Sequence, residues 1–171
     1  ELFAAELDPL QPARAIGQSM TCLATDSGRP DHLAKATKVF DAVGRTIVIS
    51  EELMIPATAL CACGVAFFLR AVRAASQGGI EIGFHPAEAL MMAAQTALGA
   101  AGLALQEGGH PERSIDSGTT PRGCTIAGLN EMEHHRFSSS LIRGLGTSSG
   151  KARAPVARRP AGVACSRPRA R

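Results

Sequence analysis

The run Thr119–Leu129 reads TTPRGCTIAGL, and it carries more chemistry than any other eleven residues of the chain. A Thr-Thr-Pro-Arg-Gly-Cys-Thr loop leads into an apolar-periodic segment through Ile126, Leu129 and Met132. This pattern predicts a loop opening a helix, with Thr120 as N-cap and Pro121 at the first helical position. Backbone N–H groups at such an end have no intrahelical acceptor, and with threonine hydroxyls beside them they can seat a carboxylate or a phosphate. The plainer reading of the same residues is a capped helix that binds nothing. Cys124 falls where the helix dipole favours a thiolate, yet no histidine adjoins it in sequence, which argues against a cysteine hydrolase.

The remaining reactive residues form no recognisable constellation. Cys22, Cys61, Cys63, Cys124 and Cys165 show no CxxC and no paired spacing, so neither a zinc site nor a secreted disulfide scaffold is expected. His134 and His135 are neighbours, and on a helix they diverge by roughly 100°, too far to share one ion. Glu131 and Glu133 read as a solvated helix face, while Glu51 and Glu52 suit the positive end of a helix. No GxGxxG occurs; the glycines are isolated or in GG pairs.

The elements that would position these residues fall into two kinds. Glu1–Ser50 reads as the end of an α/β unit: a short strand at Met20–Ala24, an amphipathic helix over Pro30–Val43 with Gly44 as its C′ glycine, and a buried strand at Thr46–Ser50. One strand–helix–strand step is too small to stand as a domain. From Glu51 onward the pattern is helical. An apolar helix spans Ala57–Gln77 and is broken by Gly78–Gly79. A second, Pro86–Gln106, follows a break at Gly83 and is apolar nearly all round, which means burial on every face or a membrane span. Glu88, Gln95 and Gln106 argue against lipid, as Arg70 and Arg73 do for the first helix. A short Pro111–Ile115 segment, a helix over Pro121–His135 and a last helix over Phe137–Leu145 complete the chain.

Composition narrows the partners. Hydrophobic residues make up 45%, but with six Phe and no Trp or Tyr the bulk is supplied by Ala and Gly. Helices built of small residues approach closely and reach adequate burial by pairing with a second chain, so an oligomer is expected. The net charge of +3 conceals an asymmetry: residues 150–171 hold seven of the 18 basic residues and no acidic one. The rest carries 11 basic against 15 acidic residues, or −4, and offers no basic face for nucleic acid. The Pro/Arg/Ala-rich tail lacks apolar periodicity and is expected to be disordered. Early acids and the lack of a continuous apolar core in Glu1–Gly17 give no signal peptide, and a cytoplasmic chain is expected.

The run TTPRGCTIAGLNEMEHHRF resembles the C-terminal signature of the pyrroline-5-carboxylate reductases, where Ser-Pro-Gly-Gly-Thr-Thr-Ile-Ala-Gly-Leu is followed by a Leu-Glu pair and a Gly-Phe. Val39–Glu52 is similar to the segment joining that family's cofactor and helical domains. Thr58–Phe68 stands where the family has Thr-Ala-Leu-Ser-Gly-Ser-Gly-Pro-Ala-Tyr. Ala94–Gly99, His110–Pro111 and Thr125–Leu129 keep its order and spacing, and the likeness covers about Ala15 to Gly146. The resemblance implies a mainly α fold: an all-helical dimerisation domain at 51–149, preceded at 1–50 by a remnant βαβ piece of a Rossmann-type dinucleotide-binding domain and followed by the tail at 150–171.

The same resemblance implies hydride transfer from NADPH or NADH to the imine of 1-pyrroline-5-carboxylate, giving L-proline, in a homodimer or higher oligomer without nucleic acid or membrane. It assigns the substrate carboxylate to Thr120, Gly123, the amide of Cys124, and Thr125. Thr58, Cys61 and Gly64 then fall near the nicotinamide. Departures from the pattern matter. Two hydroxyls become the thiols of Cys61 and Cys63, the first loop glycine becomes Arg122, and Ile55-Pro56 replaces Asp-Ala. With no glycine fingerprint, the dinucleotide-binding half is expected before Glu1, and activity of this chain alone is expected to be impaired. The alternative is a non-catalytic dimerisation module.

Overall fold

The computed structural model describes residues 2–4, 12–25, 30–106 and 110–153. Its α/β part is a three-stranded sheet in the order β1 (Leu2–Ala4), β2 (Ser19–Thr25), β3 (Gly44–Val48). β2 and β3 run parallel and are joined by α1 (Pro30–Phe40), as expected for a βαβ remnant; β1, which the sequence did not announce, adds antiparallel to β2. Leu23 and Ala24 of β2 have no exposed surface and Cys22 has 3%, so the small core of the single chain is centred on this strand.

Gly44 does not end α1 as a C′ residue. It opens β3 opposite Ser19, with the Ser19 N–H donating to Val43 O at 3.1 Å. A Cβ on Gly44 would run into the Ser19 backbone, so glycine is required here by the closeness of the two strands.

The helical part begins with one continuous run, Glu51–Glu81. It starts with a 3₁₀ turn at Glu51–Leu53, with both acids in the first turn, and passes through α2 (Met54–Ala57). It widens to a π turn at Thr58–Cys63, then continues as α3 (Gly64–Glu81). Pro56 has no N–H to give to a carbonyl one turn back, which helps explain why this start is irregular. The expected break at Gly78–Gly79 does not occur. α3 runs through both glycines and stops at Gly83, whose φ of 115° turns the chain into α4 (Pro86–Ala104). Tertiary packing overrides the weak propensity cost of two glycines, since Gly79 lies where α4 brings Ala89 against α3.

α4 is capped by its own first turn: the His85 N–H donates to Glu88 Oε2 at 3.3 Å, and Pro86 fills the first position. Burial on every face is not met within one chain, because Ala89 alone of α4 is buried while Met91 is 66% and Leu98 63% exposed. By length and composition the run Glu51–Glu81, and not α4, is the one helix among the described residues that could cross a membrane.

α5 (Pro111–Ser117), α6 (Cys124–His134) and α7 (Phe137–Arg153) complete the fold. α7 packs back on the π turn and is longer than its pattern suggested, so residues 150–153 are helical rather than part of a disordered tail. The rest of the tail, with Cys165, lies outside the described residues.

Two glycine substitutions separate close approach from simple propensity. Gly44→Ala is expected to lower stability by several kcal/mol, on the order of 3, because the β2–β3 pair must open. Gly78→Ala, with nothing within 4 Å of its added Cβ, is expected to raise stability by about 0.5–1 kcal/mol. Urea denaturation of the two variants measures both signs.

Candidate functional site

α5 delivers the chain into the Thr-rich loop with its last carbonyls already satisfied. Ser117 Oγ donates to Ser114 O at 2.8 Å and Thr119 Oγ1 to Ile115 O at 2.7 Å. The chain then reverses over Thr120-Pro121-Arg122-Gly123, closed by the Gly123 N–H donating to Thr120 O at 2.9 Å. Proline suits the second position of such a turn. Arg122 takes the third with φ at 61°, the left-handed region that glycine occupies without cost.

The expected cap is therefore displaced. Gly123, extended at φ −72° and ψ 161°, is the N-cap of α6, because the turn consumes Thr120 and Pro121 before the helix can start. No side chain caps this end. The first-turn amides of Cys124, Thr125 and Ile126 have no acceptor inside the helix. Of the residues assigned from sequence, Cys124 and Thr125 thus offer amides, whereas the Gly123 amide is committed to Thr120 O. Ile126, which sequence reading did not single out, supplies the third amide. The displaced cap is the signal that would have found it.

Thr120, Cys124 and Thr125 are exposed and Gly123 is half-buried. A Cβ on Gly123 would stand 2.5 Å from Thr120 Oγ1 and 2.9 Å from Thr120 O, so this glycine sets how tightly the turn folds against the helix start. Once bound, a carboxylate here would meet three convergent N–H donors, the Thr125 hydroxyl and the positive end of α6.

The second group of assigned residues lies on a different element. Thr58 is interior to the helical run rather than at its start, and its Oγ1 donates to Met54 O at 2.9 Å. Cys61 sits on the same π turn with its Sγ 3.9 Å from Cys22 Sγ of β2, and Gly64 is buried at the head of α3. This group packs between the sheet and α7, while the loop group stands in the open ahead of α6. The two groups thus stand on separate elements, one at the π turn and one ahead of α6.

An apolar groove of about 1120 Å³ lies between α3, α4 and the α6–α7 corner, lined among others by Phe68, Val72, Met92, Ala97, Met132 and Phe137. None of the seven assigned residues lines it. Its walls are hydrocarbon and its mouth is open, which suits a packed helix better than a small polar acid. Among the described residues no group of three or more His, Cys, Asp or Glu is placed to hold a metal ion, and His135 Nε2 instead meets Glu131 Oε1 at 3.0 Å on the surface.

Comparison with known proteins gives one consistent result. The family described as pyrroline-5-carboxylate reductase dimerisation matches residues 51–154. A Dictyostelium discoideum protein named pyrroline-5-carboxylate reductase 1 is 56% identical over 147 residues, covering 79% of this chain and 27% of the relative. The solved pyrroline-5-carboxylate reductase of Coxiella burnetii superposes with a TM-score of 0.79 at 22% identity, over 88% of this chain and 54% of that one. The Plasmodium falciparum pyrroline carboxylate reductase, solved with NADP bound, gives 0.74 at 19% identity over 80% and 53%. The chain spans about a quarter of the length of the first relative and about half of the other two.

The turn ahead of α6 makes its own prediction. Arg122→Gly is expected to stabilise the chain by roughly 0.5–1 kcal/mol, the left-handed penalty less the entropy that glycine loses on folding. Gly123→Ala is expected to cost about 1–3 kcal/mol, because Thr120 must give way. Thermal melts of both variants, read against the parent, check the opposite signs.

Proposed function

The chain belongs to the pyrroline-5-carboxylate reductase family, and we propose that it serves as the substrate-binding and dimerisation part of such an enzyme. In this reading a hydride passes from NADPH or NADH to the imine carbon of 1-pyrroline-5-carboxylate, giving L-proline. Residues 51–153 form the helical working unit, and residues 1–50 are the end of a dinucleotide-binding domain. The observation that carries the reading is the family match over 51–154, together with the uncapped α6 start inside it.

The residues present fit the substrate better than the cofactor. The sequence carries no glycine cradle for a pyrophosphate. Thr58 spends its hydroxyl on Met54 O, and Cys61 directs its sulfur at Cys22. Thr58, Cys61 and Gly64 thus offer little to a nicotinamide beyond backbone and shape, and no chemical step is assigned to them.

At the loop the chemistry is positional. The amides of Cys124, Thr125 and Ile126 and the Thr125 hydroxyl take the substrate carboxylate, and Thr120 closes the turn beside them. Fixing that end of a five-membered ring fixes where its imine carbon stands, which is the protein's share of a hydride transfer. A second copy, packed into the apolar groove against α4, supplies the cover that this face lacks within one chain. The Ala-rich, exposed faces of α3 and α4 are what favour a dimer.

A second reading, a dimerisation module without chemistry, is favoured by Thr58 and Cys61, whose polar atoms face Met54 O and Cys22. Binding of L-proline by calorimetry, measured beside light scattering, distinguishes the two. A dimer that takes up no L-proline supports the module.

The site itself is tested by calorimetric binding of L-proline, which carries the same carboxylate. Thr125→Ala is expected to weaken binding about 10- to 100-fold, the worth of a hydrogen bond to a charged group. Unchanged affinity in that variant removes the assignment.

A further inference from the structure

Cys22 and Cys61 meet at the seam between the sheet and the helices, 39 positions apart in sequence and with their sulfurs 3.9 Å apart. Cys22 is buried on β2, and Cys61 is half-buried on the π turn. Both stand as thiols. We propose that this pair is an oxidation site: hydrogen peroxide converts it to a Cys22–Cys61 disulfide that clasps the sheet to the helical run. The proposal is independent of the reductase reading.

Among the cysteines of the described residues, geometry favours this pair. A disulfide is about 2.05 Å long, so the sulfurs need close only on the order of 2 Å, a shift within reach of small side-chain rotations. Cys63 shares the π turn with Cys61, but residues two apart on a helix do not face each other. Cys124 is exposed at the start of α6, on an element that packs on α7 rather than on this seam. Cys61 therefore has one well-placed resolving partner, and it lies across the junction.

Exposure orders the steps. Solvent reaches Cys61 more readily, so its sulfur attacks a peroxide oxygen. The S–O bond forms, the O–O bond breaks, and one water leaves with the thiol proton, giving a sulfenic acid. The Cys22 sulfur then attacks the Cys61 sulfur. The S–S bond forms, the S–O bond breaks, and the departing hydroxide takes the Cys22 proton as a second water. Two thiols lose two electrons in total, and one hydrogen peroxide is reduced to two waters. Burial keeps Cys22 from direct attack and reserves it for the second step.

The clasp joins β2 to the helical run, so its formation should register in stability as well as in mass. The full chain, reduced and then titrated with hydrogen peroxide, is alkylated and mapped without reduction, and its melting is followed with and without dithiothreitol. The expected result is one intramolecular peptide pair holding Cys22 and Cys61, with a melting midpoint raised by roughly 5–10 °C and restored by dithiothreitol. Cys61→Ala, at a half-buried position that tolerates truncation, abolishes both signals; Cys63→Ala and Cys124→Ala leave both intact. Cys22→Ala repeats the loss if the buried site accepts it. A Cys61–Cys63 bond, a disulfide between chains on a non-reducing gel, or an over-oxidised Cys61 beside a Cys22 still alkylated after denaturation overturns the proposal.

Discussion

The architecture depends on helices that touch through Ala and Gly. α3 meets α4 where Gly79 lies against Ala89. Small residues let backbones come close, but each removes little apolar area from water, at about 25 cal/mol per Å². Close packing along one line of the hairpin therefore leaves Phe68, Leu69, Met91 and Leu98 more than half exposed. With no Trp or Tyr in the chain to fill the space, the groove beside them stays open. A single chain has a core around β2 and a helical framework, yet it lacks a cover for the framework's apolar face.

That constraint explains which parts of the fold could be read from the sequence. β3, α1 and α4 announced themselves through a β-branched run, apolar spacing and the Pro86 start, and each lies within a few residues of its expected place. Local rules failed where a neighbour decides. Gly78-Gly79 looks like a break until α4 is present to require a small residue at Gly79. Gly44 looks like a helix stop until Ser19 is placed beside it. α4 is a related case: an all-apolar helix signals burial, but sequence does not say whether the burying partner is in the same chain.

At the loop the helix was legible in the sequence and the place of its start was not. Thr120-Pro121 is a good helix start by composition, but Thr-Pro-x-Gly is also a good turn, and the turn prevails. The helix is then capped by backbone geometry at Gly123, which leaves its first-turn amides open rather than closed by a threonine. Had Thr120 been the cap, its own oxygen would have occupied one of those amides. The uncapped end is thus a consequence of the Pro121–Gly123 turn, and Arg122 bears its cost through a left-handed backbone that the family pattern assigns to glycine.

Cys61 shows how one departure from a family pattern can shift a residue's work. Where the pattern has serine, a hydroxyl beside the carbonyls of a π turn has hydrogen bonds to make locally. A thiol is a weak donor and is comfortable against apolar or sulfur neighbours. Its contact with Cys22 binds the π turn to β2 through two polarisable atoms, at the place where the sheet and the helical run meet. The side chain that the resemblance sets toward a cofactor is turned instead toward the protein's own interior. The open amides of α6 consequently remain the part of the assigned site whose donors are still available to a small acid.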